Sequence, residues 1–497
     1  MTVLVLTMIF SVVFAIWWYW WRPCPRSPRT YPGALPIIGH IVEAIKYRND
    51  IWSYMERIAD YMTDECVQLR MGSHKIYVVS DPDEVGVIAN TCLNKSFLYK
   101  FLIDVLGNGL LLSDVPTWKL HRKLLNPAFN QKVLNTFVNV MNVEARILVS
   151  QLKPVAGQGP ANVKEFLIKY ILRSVCRTSL GLEAKDQDMI GKEYAQAIDE
   201  IITIAVKRGL NVALHPSFVY NITSMRKREQ ELVTRIKNIL NSIIQKRKSD
   251  LKITNSTNYD DGSVNGKFKP ILDLLLHLSD EQYVLSDDEI RAHLNTFVAA
   301  SFDTTSSTLQ TVLLVLGSYP DVQERVYREI NEVFGNKQEL TKYDLPKLVY
   351  LEAVIKEVLR IYSIAPWVSR HIDTDIVFPK YTLRAGSTCI LVLYYLHRHS
   401  SWGPDSKQFK PERWLNPDTL PTNPNVYAPF GIGKRNCIGK QYAMMTLKTS
   451  VAHIVRNFKL SADISQLYWK YEVILKPINP TLVSFTLRSE FKIFMYK

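Results

Sequence analysis

Between Ser286 and Leu316 the chain has no proline and no glycine, and the two ends carry opposite helix signals. Ser286 and Glu289 have the S-x-x-E spacing of a capping box, and Gly317-Ser318-Tyr319-Pro320 is a stop. The spacing predicts one helix of about 45 Å, longer than usual, which must cross the core of whatever encloses it. Its midpoint reads FVAASFDTTSS, residues 297–307, with Asp303 and five hydroxyl side chains between Ser301 and Ser307. Such residues compete with the helix for backbone hydrogen bonds, and a lone buried carboxylate is costly unless paired or neutralised. Either the stretch packs poorly or its polar groups do chemistry.

The rest of the 497 residues reads as mainly α with a small β-rich part. Strand-like runs fall at Lys75 to Val79, Val377 to Leu383, Ser387 to Tyr394 and Leu482 to Leu487, and Tyr350 to Tyr362 has a helical pattern. Residues 252–267 are polar and turn-rich, which predicts an exposed loop. The Pro- and Asn-rich run from Ser401 to Phe430 is too long for a bystander loop and is expected to serve a site.

The first 21 residues carry no charged side chain and as a helix would span about 31 Å, the thickness of a bilayer core. Trp17, Trp18, Tyr19, Trp20 and Trp21, followed by Arg22, Arg26 and Arg29, fit an interfacial belt with a basic cytosolic flank. A signal peptide would start basic and end at a small-residue cleavage site, and neither is present. The expected division is a transmembrane anchor at 1–21, a proline-rich hinge at 22–40 and a single catalytic domain at 41–497. Six scattered cysteines without a C-x-x-C pair agree with a reducing compartment. The net charge of +14 comes without a nucleic-acid motif, so no nucleic-acid partner is expected. A membrane surface or an acidic protein partner fits it better.

FGIGKRNCIGK, Phe430 to Lys440, places one cysteine between Gly433 and Gly439, two residues after Arg435 and just before a helical run. Glycines let backbone approach a flat ligand, and cations or a helix start stabilise a thiolate. A buried structural cysteine is the common alternative. A nucleophile lacks a nearby base, since the nearest histidine is His453. One thiolate suits neither zinc nor an iron–sulfur cluster, but it does suit the axial position of a haem.

The loop resembles the haem-binding signature of cytochromes P450, F-x-x-G-x-R-x-C-x-G, with Phe430, Gly433, Arg435, Cys437 and Gly439 in place. Glu357-x-x-Arg360 matches the family's E-x-x-R, and Pro411-Glu412-Arg413-Trp414 matches its third partner, with Trp where Phe is usual. Trp118-x-x-x-Arg122 and the hinge PGALPIIGH match as well, so the resemblance covers essentially the whole chain, closest to the microsomal insect family 4 clan. It implies a haem-thiolate monooxygenase using haem b, with Cys437 as iron ligand. Trp118, His121, Arg122, Arg370 and Arg435 would hold the haem, its propionates falling to His121 and the three arginines. Glu357, Arg360 and Arg413 would hold the cysteine loop. Asp303 and Thr304 fall on the acid–alcohol positions implied to relay protons.

Two departures stand out. Ser301 replaces a usual glycine, and Ala300 stands where many family 4 members carry a glutamate bonded to haem, so the haem is expected to be non-covalent. The resemblance also implies a small apolar substrate (a fatty acid, terpenoid or odorant, hormone or plant toxin) together with O2. Electrons would come from NADPH through NADPH–cytochrome P450 reductase, with cytochrome b5 as a further donor. The implied location is the endoplasmic reticulum membrane. Lys119, Lys123, Lys132, Lys434, Lys440 and Lys448 could form the donor's docking patch. A haem-thiolate isomerase or dehydratase, and a non-catalytic haem or hydrophobic-ligand carrier, are the competing classes.

Overall fold

The computed structural model describes residues 26–62, 65–182, 189–257, 270–280 and 285–488, with scattered positions between 5 and 15. The expected anchor therefore lies mostly outside the described residues. Among those described, no helix is long and apolar enough to cross a membrane.

Helices dominate. Those that build the site are α1 (Val115–Leu125), α2 (Lys164–Leu180), α3 (Lys192–Leu210), α4 (Asp287–Ser318), α5 (Val349–Ile361) and α6 (Lys440–Asn457). α4 is the long helix expected from the sequence. Ser286 Oγ accepts from Glu289 N–H, and the Glu289 carboxylate accepts from Ser286 N–H, completing the capping box. α4 packs against α2, α5 and α6, and its flank from Ser306 to Leu316 is buried throughout. At its far end a Cβ on Gly317 would fall 2.8 Å from Ala462, which is why a glycine ends the run.

A five-stranded sheet forms the β-rich part, built from β1 (Arg29–Thr30), β2 (Val67–Met71), β3 (His74–Val79), β4 (Val368–His371) and β5 (Thr388–Leu391). Its spatial order is β1-β2-β3-β5-β4, with β3 and β5 parallel and β4 antiparallel to β5. This register sets Arg370 on an edge strand, opposite Cys389. Later come β6 (Phe458–Ser461), the hairpin β7 (Trp469–Glu472) with β8 (Ile474–Pro477), and β9 (Leu482–Leu487).

Several expected boundaries moved for local reasons. The run from Val377 splits into Ile376–Val377 and Thr382–Leu383, because Pro379 cannot continue a ladder. The strand expected to reach Tyr394 stops at Leu391 and gives way to a helical turn, Leu393–Leu396. The loop expected from Lys252 starts later, since a helix from Ser224 continues to Thr257 and no proline or glycine interrupts it before then. Positions 258–267 of that loop lie outside the described residues. Between Ser401 and Phe430 the chain forms short 3-10 turns, three of them opening on a proline.

Candidate active site

Glu357 and Arg360 sit one turn apart on α5, both at 0 % exposure. Arg360 Nε and Nη2 donate to the two carboxylate oxygens at 2.9 and 2.8 Å, and the remaining N–H groups reach the carbonyls of His397, Ser406 and Gln408. Glu357 also receives Arg413 Nε at 3.0 Å, the Lys410 N–H at 2.9 Å and the Trp414 indole N–H at 2.9 Å. Trp414 thus supplies a donor that the usual Phe lacks. Beside this knot, His397 Nε2 accepts from Ala428 N–H at 3.0 Å. Burial, with Arg398 and Arg360 nearby, pushes that imidazole down to about 3 and keeps it a neutral acceptor. Helix α5 is in this way tied to the start of the cysteine loop.

Within the loop, Cys437 N–H donates to Phe430 O at 2.8 Å, and Gly431 N–H to Ala428 O at 3.0 Å. Gly433 has φ +71°, and a Cβ there would fall 2.4 Å from Ala89 O, so only glycine fits this approach. Gly439 caps α6. The Cys437 sulfur is exposed, yet burial pushes its thiol up against the pull of Gly439 N–H, Arg122 and Lys440 toward thiolate. Arg122 lies at the loop's edge, donating to Asn436 O at 2.9 Å and Asn436 Oδ1 at 3.1 Å.

Three cations crowd the other flank of the loop. Arg435 donates to Leu93 O at 3.0 Å and Ser113 O at 2.8 Å, and its guanidinium lies 4.4 Å over the Trp118 ring. Burial and the nearby Arg370 push it down to about 10. Arg370, 1 % exposed, spends one N–H on Ser369 O. Lys95 is the third member: burial, then Arg370 and Arg435, hold its ammonium well below the ordinary lysine range. Among the described residues, Arg435 Nη1 and Arg370 Nε are buried with no partner.

On α4, Thr304 Oγ1 donates to Ala300 O at 2.7 Å, back-bonding within the helix. Asp303 turns elsewhere. Its Oδ2 lies 2.9 Å from Lys476 Nζ on β8, beside a polar cleft lined by Lys164, Asn162 and Asn479. Lys476 also reaches Asp199 on α3 at 2.9 Å. Burial raises Asp303 and Lys476 opposes it, while the two carboxylates carry the Lys476 ammonium up to about 12. Ser306, Thr308 and Thr311 bond preceding carbonyls, as packing hydroxyls do.

The cytochrome P450 family profile matches residues 28–485. The chain is a cytochrome P450. It is 31 % identical over 491 residues to human cytochrome P450 4V2, covering 96 % of this chain and 92 % of the relative. Cytochrome P450 4c21 of Blattella germanica is 29 % identical over 465 residues, with 92 and 93 % covered. Cytochrome P450 4c3 of Drosophila melanogaster is 30 % identical over 485 residues, with 92 and 89 % covered. The enzyme is a haem-thiolate monooxygenase whose family carries non-covalently bound haem b.

The P450 site fits that cofactor. A dianionic group would meet the two unpartnered guanidinium N–H donors, which otherwise sit among like charges. Of the residues expected from sequence, Trp118, Arg370 and Arg435 come together, and so do Glu357, Arg360 and Arg413. Phe430, Gly433, Cys437 and Gly439 shape one loop, with Arg122 at its edge. His121 stands apart, bonded to His293 on α4 and near Glu289. Lys95, Lys476, His397 and His293 carry no signal in the sequence, whereas Trp414 stands out there as the odd residue in an otherwise matching motif.

Proposed function

We propose that this P450 inserts one oxygen atom into a small apolar substrate, with Cys437 as the iron ligand. The observation that carries the reading is the exposed Cys437, held on a glycine turn beside arginines whose buried donors lack an anion among the described residues. Arg370 and Arg435, with Lys95, would hold the haem carboxylates, and Trp118 keeps Arg435 in place. Arg122 braces the cysteine loop through Asn436. Bound in this way, haem supplies activation of O2, the second oxygen atom leaving as water.

The remaining steps belong to side chains. Thr304 keeps its hydroxyl on the helix face of Ala300, and its bond to Ala300 O can be exchanged for a water. Asp303 takes protons at Oδ2 from the polar cleft and passes them to the Thr304 side after leaving Lys476. Lys476 keeps a carboxylate throughout, because Asp199 remains in place. His121 is bonded to His293 on α4 rather than to the arginines beside the cysteine loop. Fatty acids, terpenoids, odorants, hormones and plant toxins are the substrate classes that the resemblance to cytochromes P450 suggests. Electrons would come from NADPH–cytochrome P450 reductase, with cytochrome b5 as a further donor, docked by the exposed Lys119, Lys123, Lys132, Lys434 and Lys440. Lys448 drops out of the expected patch, because it is buried with its ammonium on Leu345 O and Glu352. The uncharged residues 1–21 would anchor the enzyme in the endoplasmic reticulum membrane.

The test is the reduced carbon monoxide difference spectrum of membranes carrying the full chain. A band near about 450 nm is expected, and lost in Cys437→Ser. The same band in Cys437→Ser would remove Cys437 from the iron. Consumption of NADPH and O2 with substrate then separates oxygenation from isomerisation or carriage.

A further inference from the structure

Lys476 holds two carboxylates that come from different parts of the fold. Its Nζ lies 2.9 Å from Asp303 Oδ2 on α4 and 2.9 Å from Asp199 Oδ1 on α3, with the lysine side chain 11 % exposed. The strand that carries it is pinned on both sides. Leu475 N–H donates to Ile364 O at 2.8 Å, Ile478 N–H donates to Tyr468 O at 2.9 Å, and Ile474 and Leu475 are buried. Lys476 is therefore a fixed post, and the sharing of its ammonium depends on where α3 and α4 stand.

Of the two helices, α4 is the more firmly set, packed on α2, α5 and α6 and buried from Thr305 to Leu316. A separate bond ties α3 to it. The Tyr194 hydroxyl donates to Asn295 Oδ1 at 2.6 Å, and Asn295 Nδ2 donates in turn to Val105 O. Both side chains are buried. Asp199 comes five residues after Tyr194, about 7.5 Å along the helix, so a tilt of α3 about this anchor carries Asp199 toward or away from Lys476.

Charge makes that movement matter. A buried ammonium without a carboxylate is costly, so Asp303 can leave Lys476 only while Asp199 stays on it. Burial raises Asp303, Lys476 opposes this, Asp199 raises it further, and Lys164 on α2 pulls it down from the cleft. Taking Asp199 away has two effects, and both hold Asp303 ionised against Lys476.

We propose that Asp199 is a positioning residue that makes proton supply through Asp303 conditional on α3 being seated. This rests on the relay reading above. With α3 seated, Asp303 takes a proton from cleft water at Oδ2 and swings off, while Asp199 keeps Lys476 paired. The proton passes to the Thr304 side and the carboxylate returns to Lys476, so one proton enters and one leaves in each cycle. With α3 lifted, Lys476 has Asp303 alone, which stays charged and pinned. Proton supply is then closed until α3 settles.

The experiment follows the Asp303 carboxyl of the full-length holoenzyme by infrared titration, each chain referred to its Asp303→Asn counterpart. Asp199→Asn is expected to move the Asp303 midpoint to lower pH, and Asp199→Glu to return it to the wild-type value. Tyr194→Phe loosens α3 without altering the three charges, and should move the midpoint the same way by less. In a Lys476→Met background the shift from Asp199→Asn should shrink by more than half. The solvent isotope effect on NADPH-driven O2 uptake is expected to rise in Asp199→Asn and to fall back in Asp199→Glu. A midpoint that ignores Asp199→Asn or Tyr194→Phe, or a full shift without Lys476, overturns the coupling. A shifted midpoint with a wild-type isotope effect would instead overturn the relay reading beneath it. Loss of the wild-type carbon monoxide band would sink the haem reading, while the infrared titration, which needs no turnover, still decides what Asp199 does.

Discussion

Two arginine clusters lie in the interior of this enzyme, and the polypeptide completes only one of them. At Arg360 each of the guanidinium N–H groups has an acceptor, and Glu357 collects five donors on its two oxygens. At Arg435 and Arg370 two buried donor nitrogens have no acceptor among the described residues, and Lys95 adds repulsion. The first cluster is finished by folding alone. The second is stable only to the extent that an anion arrives, which is what a site for a carboxylate-bearing cofactor requires.

The comparison breaks most sharply at Glu357. Glu357→Ala strands Arg360 and Arg413 without a counter-charge, and unfolding stability is expected to drop by about 3–5 kcal/mol, read from thermal melts. An unchanged melt would show that the knot does not hold the fold. Trp414→Phe removes one donor to the same carboxylate and should cost about 1.5–3 kcal/mol, without touching the carbon monoxide band.

A third experiment separates Asp303 from both clusters. Its folded acidity is weaker than in the unfolded chain, so its charging opposes folding, and stability is lost as pH rises through the raised folded value. Lys476 offsets part of that loss. Lys476→Met should therefore melt progressively lower than the wild type as pH rises above the ordinary carboxylate range, and converge with it in acid. Parallel melting curves would place Asp303 outside Lys476's control. The smallest effect on stability belongs to Arg435→Leu, which is expected to alter the cofactor-free melt by only about 1 kcal/mol. Its haem content per polypeptide, measured from the carbon monoxide band, should fall several-fold. Full haem content in that variant would take the cluster out of cofactor binding.

Much of this was legible because the residues concerned are neighbours in sequence. Ser286 and Glu289, Glu357 and Arg360, and the spacing from Phe430 to Gly439 each encode geometry within about three turns of chain. Lys476 and Asp303 are 173 positions apart (476 less 303), and no local spacing marks the pair. The same holds for Lys95 beside Arg435 and for His293 beside His121, where only the folded arrangement of β4, α1 and α4 makes neighbours. His121 illustrates the limit. Its position beside Arg122 suggested a propionate, but successive residues on a helix point in different directions, and its ring turns into α4. Residues 377–383 differ for a local reason, since Pro379 interrupts a strand-like run.

The Glu357 knot also sets an order of events. Its pairing with Arg360 is local and can form as soon as α5 does, whereas Lys410, Arg413 and Trp414 lie more than fifty residues further along. During synthesis the half-made knot must wait, with an arginine whose N–H groups still face water, until that later segment leaves the ribosome. Only then can Ala428 find His397 and the cysteine turn close. Cofactor capture is therefore among the last acts of biogenesis, and a nascent chain stalled before residue 410 would be a poor haem acceptor however well its helices had formed.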